Sequence, residues 1–461
     1  MAKGSRSGIK TFAFLLIALV GSVVLGIGAF LMLIPGSNVF GVAYVANVEK
    51  TIFNDVIKDS VSTNLDMSDY TKIVFQTENA NVKILCGTDN ASDSNIVLDK
   101  NSFGYYTLGS KTDYTYEFYA SGTILYFILD EPEYSFLKIG GNTTLILNIN
   151  AFETLMPNIE FDIQTTNGSV NFGGATSVTA SQAYPIEARK LKIITTNGNI
   201  FIDDTVAISS IMDLTTGYGT INIKGDLSTE QIDLTSFGGN ITAKKFTNDL
   251  SQLNININQS KVIINQINGD VFLDSLGGIF NVKLIKGNFE TSENIVTTRI
   301  VIEKVEENVN IGNDEGNFTV DIKEILGSTS ILSGGGNIKI SNLLGQASIR
   351  TTSASVNITV NETNTDRLVI DTESGNIWVD FKNILHNHLL TSIGGQIDVK
   401  CSFDCSFYLN AQSESGFIQK VWTGEKTTGE AIIEYPVGEH PVLALQLTSN
   451  SGNIIISRYN V

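Results

Sequence analysis

Few side chains in this sequence have the type and spacing to do chemistry. His386-Asn387-His388 sets two imidazoles two residues apart, which on a strand places both on one face. A zinc site needs a third ligand at matching spacing, and none follows; the segment reads as a loop between coils, and neither metal nor cofactor is expected. Gly312-Asn-Asp-Glu-Gly-Asn317 and Asp371-Thr-Glu-Ser-Gly-Asn376 look like calcium turns. They match neither the calcium-binding nonapeptide nor an EF-hand loop. Gly334-Gly335-Gly336 lacks the Lys and following helix of a phosphate loop. Thr195, Thr216, Ser236, Ser392 and Ser449 form a hydroxyl series that superficially resembles a row of nucleophiles. No base accompanies them, and a hydroxyl beside a bend more simply bonds the free backbone groups of the turn. Outward Asp and Glu on neighbouring coils could approach as a glycosidase pair does, but the coils are short and have no long loops to roof a cleft. No catalytic residue is assigned, and an enzyme is not expected. Two outward aromatic residues remain, Trp378 and Phe201, as candidate partner contacts; Trp378 could equally lie beneath an insertion.

The elements that position these residues come from a repeat. Thr195-Thr-Asn-Gly-Asn-Ile-Phe-Ile202 returns in variant form at 214–223, 234–243 and 390–399. With the glycine before Asn-Ile as position zero, zeros fall at Gly198, Gly219, Gly239, Ser260, Gly278, Thr298, Gly316, Gly336, Ala354, Gly375, Gly395 and Gly416. Outlying members sit at Ala80, Gly168 and Gly452. A period of about 20 residues marks a stacked array. Positions +2 (Ile200, Ile221, Ile241) and +4 (Ile202, Ile223) are apolar, as is −5 (Ile193, Leu214, Leu234). Residues two apart on a strand share a face, so these columns line two walls of an interior, with the glycine in a tight bend between them. The expected fold is all-β: a single-stranded parallel β-solenoid with coils of about 20 residues and an N-terminal transmembrane helix. At about 4.8 Å per rung, roughly fifteen coils make a rod near 70 Å long.

Along the chain, Met1 to Lys10 is basic, and Thr11 to Ile34 is free of charge for long enough to span a bilayer. Residues 1–10 are therefore expected to be a cytoplasmic tail and 11–34 an uncleaved single-pass anchor in the cell membrane, with the C-terminal bulk outside; the alternative is a signal peptide cleaved at Gly41-Val42-Ala43. Residues 35–70 read as a stalk with a short helix over 48–60. Residues 71–165 hold the first coil, around Ala80, and hairpins that close the N-terminal end. Residues 166–461 are the solenoid, with a looped-out hairpin near 420–445. The final coil, around Gly452, is expected to be a cap or a docking edge.

The net charge is −18, and the basic tail accounts for +3, leaving the remainder strongly acidic. That argues against nucleic acid and against lying flat on anionic lipid, and favours solubility, calcium-containing surroundings or a basic partner. Three cysteines in 461 residues are no disulfide framework. Cys86 and Cys401 both occupy position +6, which places both in the core, far apart along the rod and beyond disulfide reach; Cys401 and Cys405 are near in sequence but are not expected to pair.

The phrase Ile159-Glu-Phe-Asp-Ile-Gln-Thr-Thr-Asn-Gly-Ser-Val-Asn-Phe172, followed by repeated Thr/Ser-x-x-Gly-Asn-Ile, resembles the bacterial putative-adhesin family of β-strand repeats. The resemblance covers about residues 70–461. It implies a surface-exposed right-handed β-helix, some relatives being similar to accessory proteins of envelope-stress systems, and it supplies no catalytic residues. The function expected is a membrane-anchored, non-enzymatic adhesin-like binding or scaffold protein, meeting an extracellular protein or glycan. The alternative is an envelope-stress accessory or sensor acting through membrane partners; third is a polysaccharide-active β-helix.

Overall fold

The computed structural model describes residues 38–459 except 40–41, 53–68, 87–93, 109–114, 131–136, 139–141, 150–154, 176–185, 204–205, 248–251, 362–366, 429–430, 439–440 and 442. The segment 11–34, expected to cross the membrane, lies outside the described residues. Among those described, no helix is long and apolar enough to cross a membrane. The described elements are all strands and join in one hydrogen-bonded sheet. Successive coils stack in parallel and in register. On the first wall Leu191, Met212 and Ile232 belong to neighbouring rungs; on the second wall Ile200, Ile221 and Ile241 do. All three second-wall residues are fully buried, so the +2 column is an interior one. Alternation does this: in Gln231–Ser236 every second residue faces inward, and in Asn240–Phe246 Ile241 and Ala243 do the same. Beyond Ala243 the alternation slips by one residue, and Phe246 turns in and closes the coil.

The corner between the walls shows why glycine recurs at position zero. At Gly198, Gly219 and Gly395 the backbone does not adopt the left-handed region. A Cβ on Gly198 would come within 1.8 Å of the Gly168 carbonyl oxygen, and one on Gly219 within 1.8 Å of the Gly198 oxygen. The glycine is required by the rung below it, not by the bend itself. The hydroxyl three residues earlier completes the joint. Gly198 N–H donates to Thr195 Oγ1 at 2.9 Å, and Gly219 N–H donates to Thr216 Oγ1 at 3.0 Å. Each hydroxyl in turn donates to the preceding corner's carbonyl, Thr195 to Gly168 at 3.3 Å and Thr216 to Gly198 at 3.2 Å. One buried hydroxyl thus satisfies a donor in its own coil and an acceptor in the next.

From about 252 to 343 the corner changes. The strands Gln252–Ile267, Asp270–Ile285, Val309–Ile325 and Thr329–Leu343 run through it without a break. Hydroxyls at position zero take over the bridging: Ser260 donates to the Ser236 carbonyl at 2.9 Å, and Thr298 lies 2.7 Å from Ser275 Oγ. Register also corrects one zero. Phe318 pairs with Gly336, so Phe318, not Gly316, holds that coil's corner, and Thr319 stands opposite Arg299. Two coils in a row therefore have corners two residues longer than their neighbours, at 292–297 and 312–317.

Both ends depart from simple chain order. The coil containing Lys72–Thr77 and Asn81–Cys86 is not terminal: it lies between the rung of Phe161 and Val170 and an outer rung built from Ile124–Asp130 and Asn142–Ile149. Thr115–Ser121 and Asn95–Leu108 then cover that outer rung antiparallel. Val42–Ile52 pairs antiparallel with Asn95–Leu108, so these residues form a strand rather than the stalk and helix expected for them. At the other end, Ala444–Ser449 and Ile454–Tyr459 insert between the Gly395 coil and the Gly416 coil. The last coil in sequence is interior, neither cap nor docking edge. In place of the looped-out hairpin expected near 420–445, Glu425–Thr428 and Ala431–Val437 each lie antiparallel on a strand of the outermost coil, Phe417–Lys420 and Phe407–Ser413 respectively. Lys420, buried on this outermost coil, pairs with Glu425.

Two measurements check the corner joint. Gly198→Ala and Gly219→Ala are each expected to destabilise by about 3 kcal/mol or more, the upper end of overpacking, because the obstacle is backbone. Gly312→Ala, with nothing within 4 Å of the added carbon, should stay within about 0.5 kcal/mol in the same denaturant titration. Thr216→Val keeps shape but strands the Gly219 N–H and the Gly198 carbonyl, and is expected to cost about 2 kcal/mol; an unchanged midpoint would show that the hydroxyl bridge is dispensable.

Candidate functional site

The outward surface of the first wall consists of two columns. One runs Lys192, Asp213, Asp233, Asn254, Phe272, Glu290 and Asn310 on successive rungs. The other includes Thr215, Thr235, Asn256 and Asp274. A groove of about 970 Å³ lies on this wall. The longer corners build its lip: Glu293, Asn294 and Val296 come from one, Asn313, Asp314 and Glu315 from the next. The two corners are tied together, Asn313 donating from its amide to the Ile295 carbonyl at 2.8 Å while the buried Ile295 anchors its own loop. Asn313 also receives the Glu315 N–H at 2.9 Å, which holds the loop in an Asx turn. The loop that resembled a calcium turn is thus held by its own backbone and asparagine. Among the described residues, no group of three His, Cys, Asp or Glu could hold a metal ion.

Apolar side chains reach the same groove. Phe237 and Leu276, about half exposed, stand at the corner of the first wall, and Leu332 lies farther along it. Tyr218, 71% exposed, lies over Gly238, where a Cβ would meet its ring at 2.8 Å. These corner residues were not singled out from the sequence. The signal was there, a large apolar residue at −2 or −1 where neighbours carry Asn, Ser or Gly, but it shows only after the corner is known to face outward.

The two aromatic residues that were singled out lie on the second wall. Trp378 projects outward between Asn357 and Asp398 and is 36% exposed. Glu425–Thr428 and Ala431–Val437 pair with the outermost coil, whereas Trp378 lies on the Gly375 coil. Phe201 is half-buried between Asn171 and Asn222. The two share one column but stand nine rungs apart, roughly 43 Å at 4.8 Å per rung. The fold does not bring them into one site.

The histidine pair is divided as well. His386 is exposed, whereas His388 is buried at the start of His388–Ser392. Its Nδ1 accepts the Leu368 N–H at 3.1 Å, and its ring packs on Phe381 with centroids 4.8 Å apart. Its Nε2 has no partner. Burial, reinforced by His386 and Arg367, lowers its pKa to about 4, so the ring is a neutral core group. Cys401 and Cys405 are free, buried thiols rather than a local disulfide. Burial pushes Cys401 up to about 12 and raises Cys405 too, which keeps both protonated and unreactive.

In comparison with known proteins, residues 279–457 match the family model described as Toastrack DUF4097. The resemblance to the putative-adhesin family, of no known function, rests on this repeat. No curated protein matches the chain. A crystal structure described as a putative cell adhesion protein from Clostridium sporogenes is similar at 8% identity, covering 89% of this chain and 99% of that one. Its TM-score is 0.16.

His388 makes stability depend on pH. Its folded pKa lies below the unfolded value near 6.5, so the unfolded chain binds the proton more tightly. Its contribution is complete above pH 6.5 and shrinks as pH falls towards 4, by a total on the order of 3 kcal/mol. His388→Asn, which retains an acceptor for the Leu368 N–H, is expected to flatten the stability profile over that window relative to wild type. Parallel profiles would remove His388 as the source.

Proposed function

We propose that this chain, whose residues 279–457 carry the Toastrack repeat, is a membrane-anchored binding or scaffold protein that presents the outer walls of a β-solenoid to a partner outside the cell and performs no catalysis. The reading rests on one observation above all. Antiparallel strands cover the parallel ladders at both ends of the stack, which discourages end-to-end growth by strand addition. What remains for recognition is side chains in columns on a rigid support. Such a support positions ligand groups at rung spacing without a conformational change. The charge-free stretch 11–34 with its basic flank supports tethering at the membrane, and the acidic exterior favours a ligand other than nucleic acid.

Two measurements test it. Cells producing the full chain should retain it in the membrane fraction, and deletion of residues 11–34 should release it; a deletion variant still in the membrane would refute the anchor. Photo-crosslinking from the outer walls on intact cells should trap a second surface component. Trapping nothing, or detecting turnover of a cell-wall polysaccharide by the purified chain, would refute the binding role.

A further inference from the structure

Over six successive coils, charge is segregated between the two walls. On the first wall, segments 210–218, 230–238, 252–259, 269–277, 288–297 and 307–315 hold ten Asp or Glu and no Lys or Arg. On the second wall, segments 220–229, 240–247, 261–268, 279–287, 299–306 and 317–326 hold nine Lys or Arg with five Asp or Glu. The second wall largely satisfies its own acids, with Lys244 at 3.1 Å from Asp226, Lys304 at 3.0 Å from Glu324 and Lys323 at 3.0 Å from Glu303. The first-wall groove does not. Asp274, Glu290, Glu293, Asp314 and Glu315 line it, and no cationic side chain does. Asp274 receives the Ser292 hydroxyl and Glu290 the Asn310 amide, both neutral donors.

The carboxylates are distributed over three successive rungs rather than gathered round a point, and the described residues include no metal-binding cluster. A single cation would neutralise one part of the groove only; a polymer bearing several would match it. The apolar residues narrow the choice further. Phe237, Leu276 and Leu332 offer surface that a polyamine would leave unused and that an apolar peptide side chain would cover. From the rung of Phe237 to that of Leu332 is five steps, roughly 24 Å, the length of about seven residues of extended chain. An uncharged glycan would leave the crowded carboxylates uncompensated.

We propose that the groove bounded by the corners 292–297 and 312–317 is a docking site for an extended, cationic segment of a protein partner, with Lys or Arg side chains on the carboxylates and an apolar side chain against Phe237 and Leu276. This rests on the binding reading above and names the chemistry of its ligand.

The test uses the full chain in detergent micelles and a fluorescein-labelled octapeptide of alternating Lys and Leu, followed by anisotropy. The peptide should bind, its Glu–Leu counterpart should not, and binding should weaken steeply with added salt. Glu290→Gln, Glu293→Gln and Asp314→Asn together should weaken it by about tenfold or more, and Phe237→Ser by several-fold. A matched variant on the second wall, Asp226→Asn with Glu303→Gln and Asp321→Asn, should stay within about twofold. Equal losses in both triple variants would mean attraction to net charge alone and would overturn the site. So would binding of cellohexaose with no binding of the Lys–Leu peptide. On cells, crosslinked capture that persists in the first-wall variant overturns this groove while leaving the binding reading intact, whereas capture lost in that variant alone supports both.

Discussion

The fold depends on how closely one corner can sit on the next. A parallel stack gains little unless its hydrogen-bonded ladder continues on both walls, and that continuity requires corners at the same spacing as the strands. At Gly198, Gly219 and Gly395 the corner carbonyl of one rung occupies the place where the next residue's Cβ would be. A glycine there is therefore a condition of stacking. The buried Thr or Ser at −3 resolves the other difficulty of a buried corner, its unpaired N–H and C=O, with a single hydroxyl that donates once and accepts once. The aliphatic columns supply most of the driving force, about 1.5–3 kcal/mol for each fully buried Ile or Leu. They can do so only because the corner permits contact.

The corner is one of two solutions in the chain. From about 252 to 343, where four of the five coils run through the corner as unbroken strands, Ser260 and Thr298 occupy position zero and bridge the rungs themselves. Gly278 and Gly336 there do adopt positive φ, 118° and 95°, unlike the corner glycines Gly198, Gly219 and Gly395. The change coincides with the groove. A corner here can be two residues longer because the ladder resumes on either side of it, as between Asn313 and Asn317 and between Thr291 and Thr298. A tight glycine joint would not allow it. The variation that shapes a surface feature thus falls where the stacking constraint is relaxed.

How far the sequence was legible follows from the same physics. Columns such as Ile200–Ile221–Ile241 and the hydroxyl series could be read because every rung repeats the same requirement. Departures that answer to one rung only could not. Two extra residues in the Phe318 coil look like ordinary spacing until register shows Phe318 opposite Gly336. The places of the first and last coils were hidden for another reason. Chain order is the natural guide to stacking order, yet nothing local distinguishes Ala444–Ser449 as an inserted rung from a terminal one; only its two parallel partners do. His388 follows the same rule. Two residues from His386 it invites a metal reading, whereas its position on the inner column makes it a neutral acceptor for Leu368.

A solenoid wall separates the residues that specify the fold from those that meet the outside, because alternate positions face opposite ways. The inner set is constrained by the rungs above and below. The outer set is constrained only by strand preference and solubility, and so it is free to differ between rods of the same family. That explains why a repeat specific enough to identify the fold says little about a ligand. It also gives the unequal charge of the two walls its meaning. Solubility alone would be served by acids scattered on both, yet here cations are confined to one wall and excluded from the other over six consecutive rungs. Like charges at rung spacing on the first wall, as with Asp213 opposite Asp233, repel and weaken the stack. Burial and the neighbouring Asp233 act together to hold the Asp213 carboxyl above its ordinary value, partly opposed by Lys192. A wall that keeps such repulsion while the other relieves it with ion pairs bears a cost that stacking does not require.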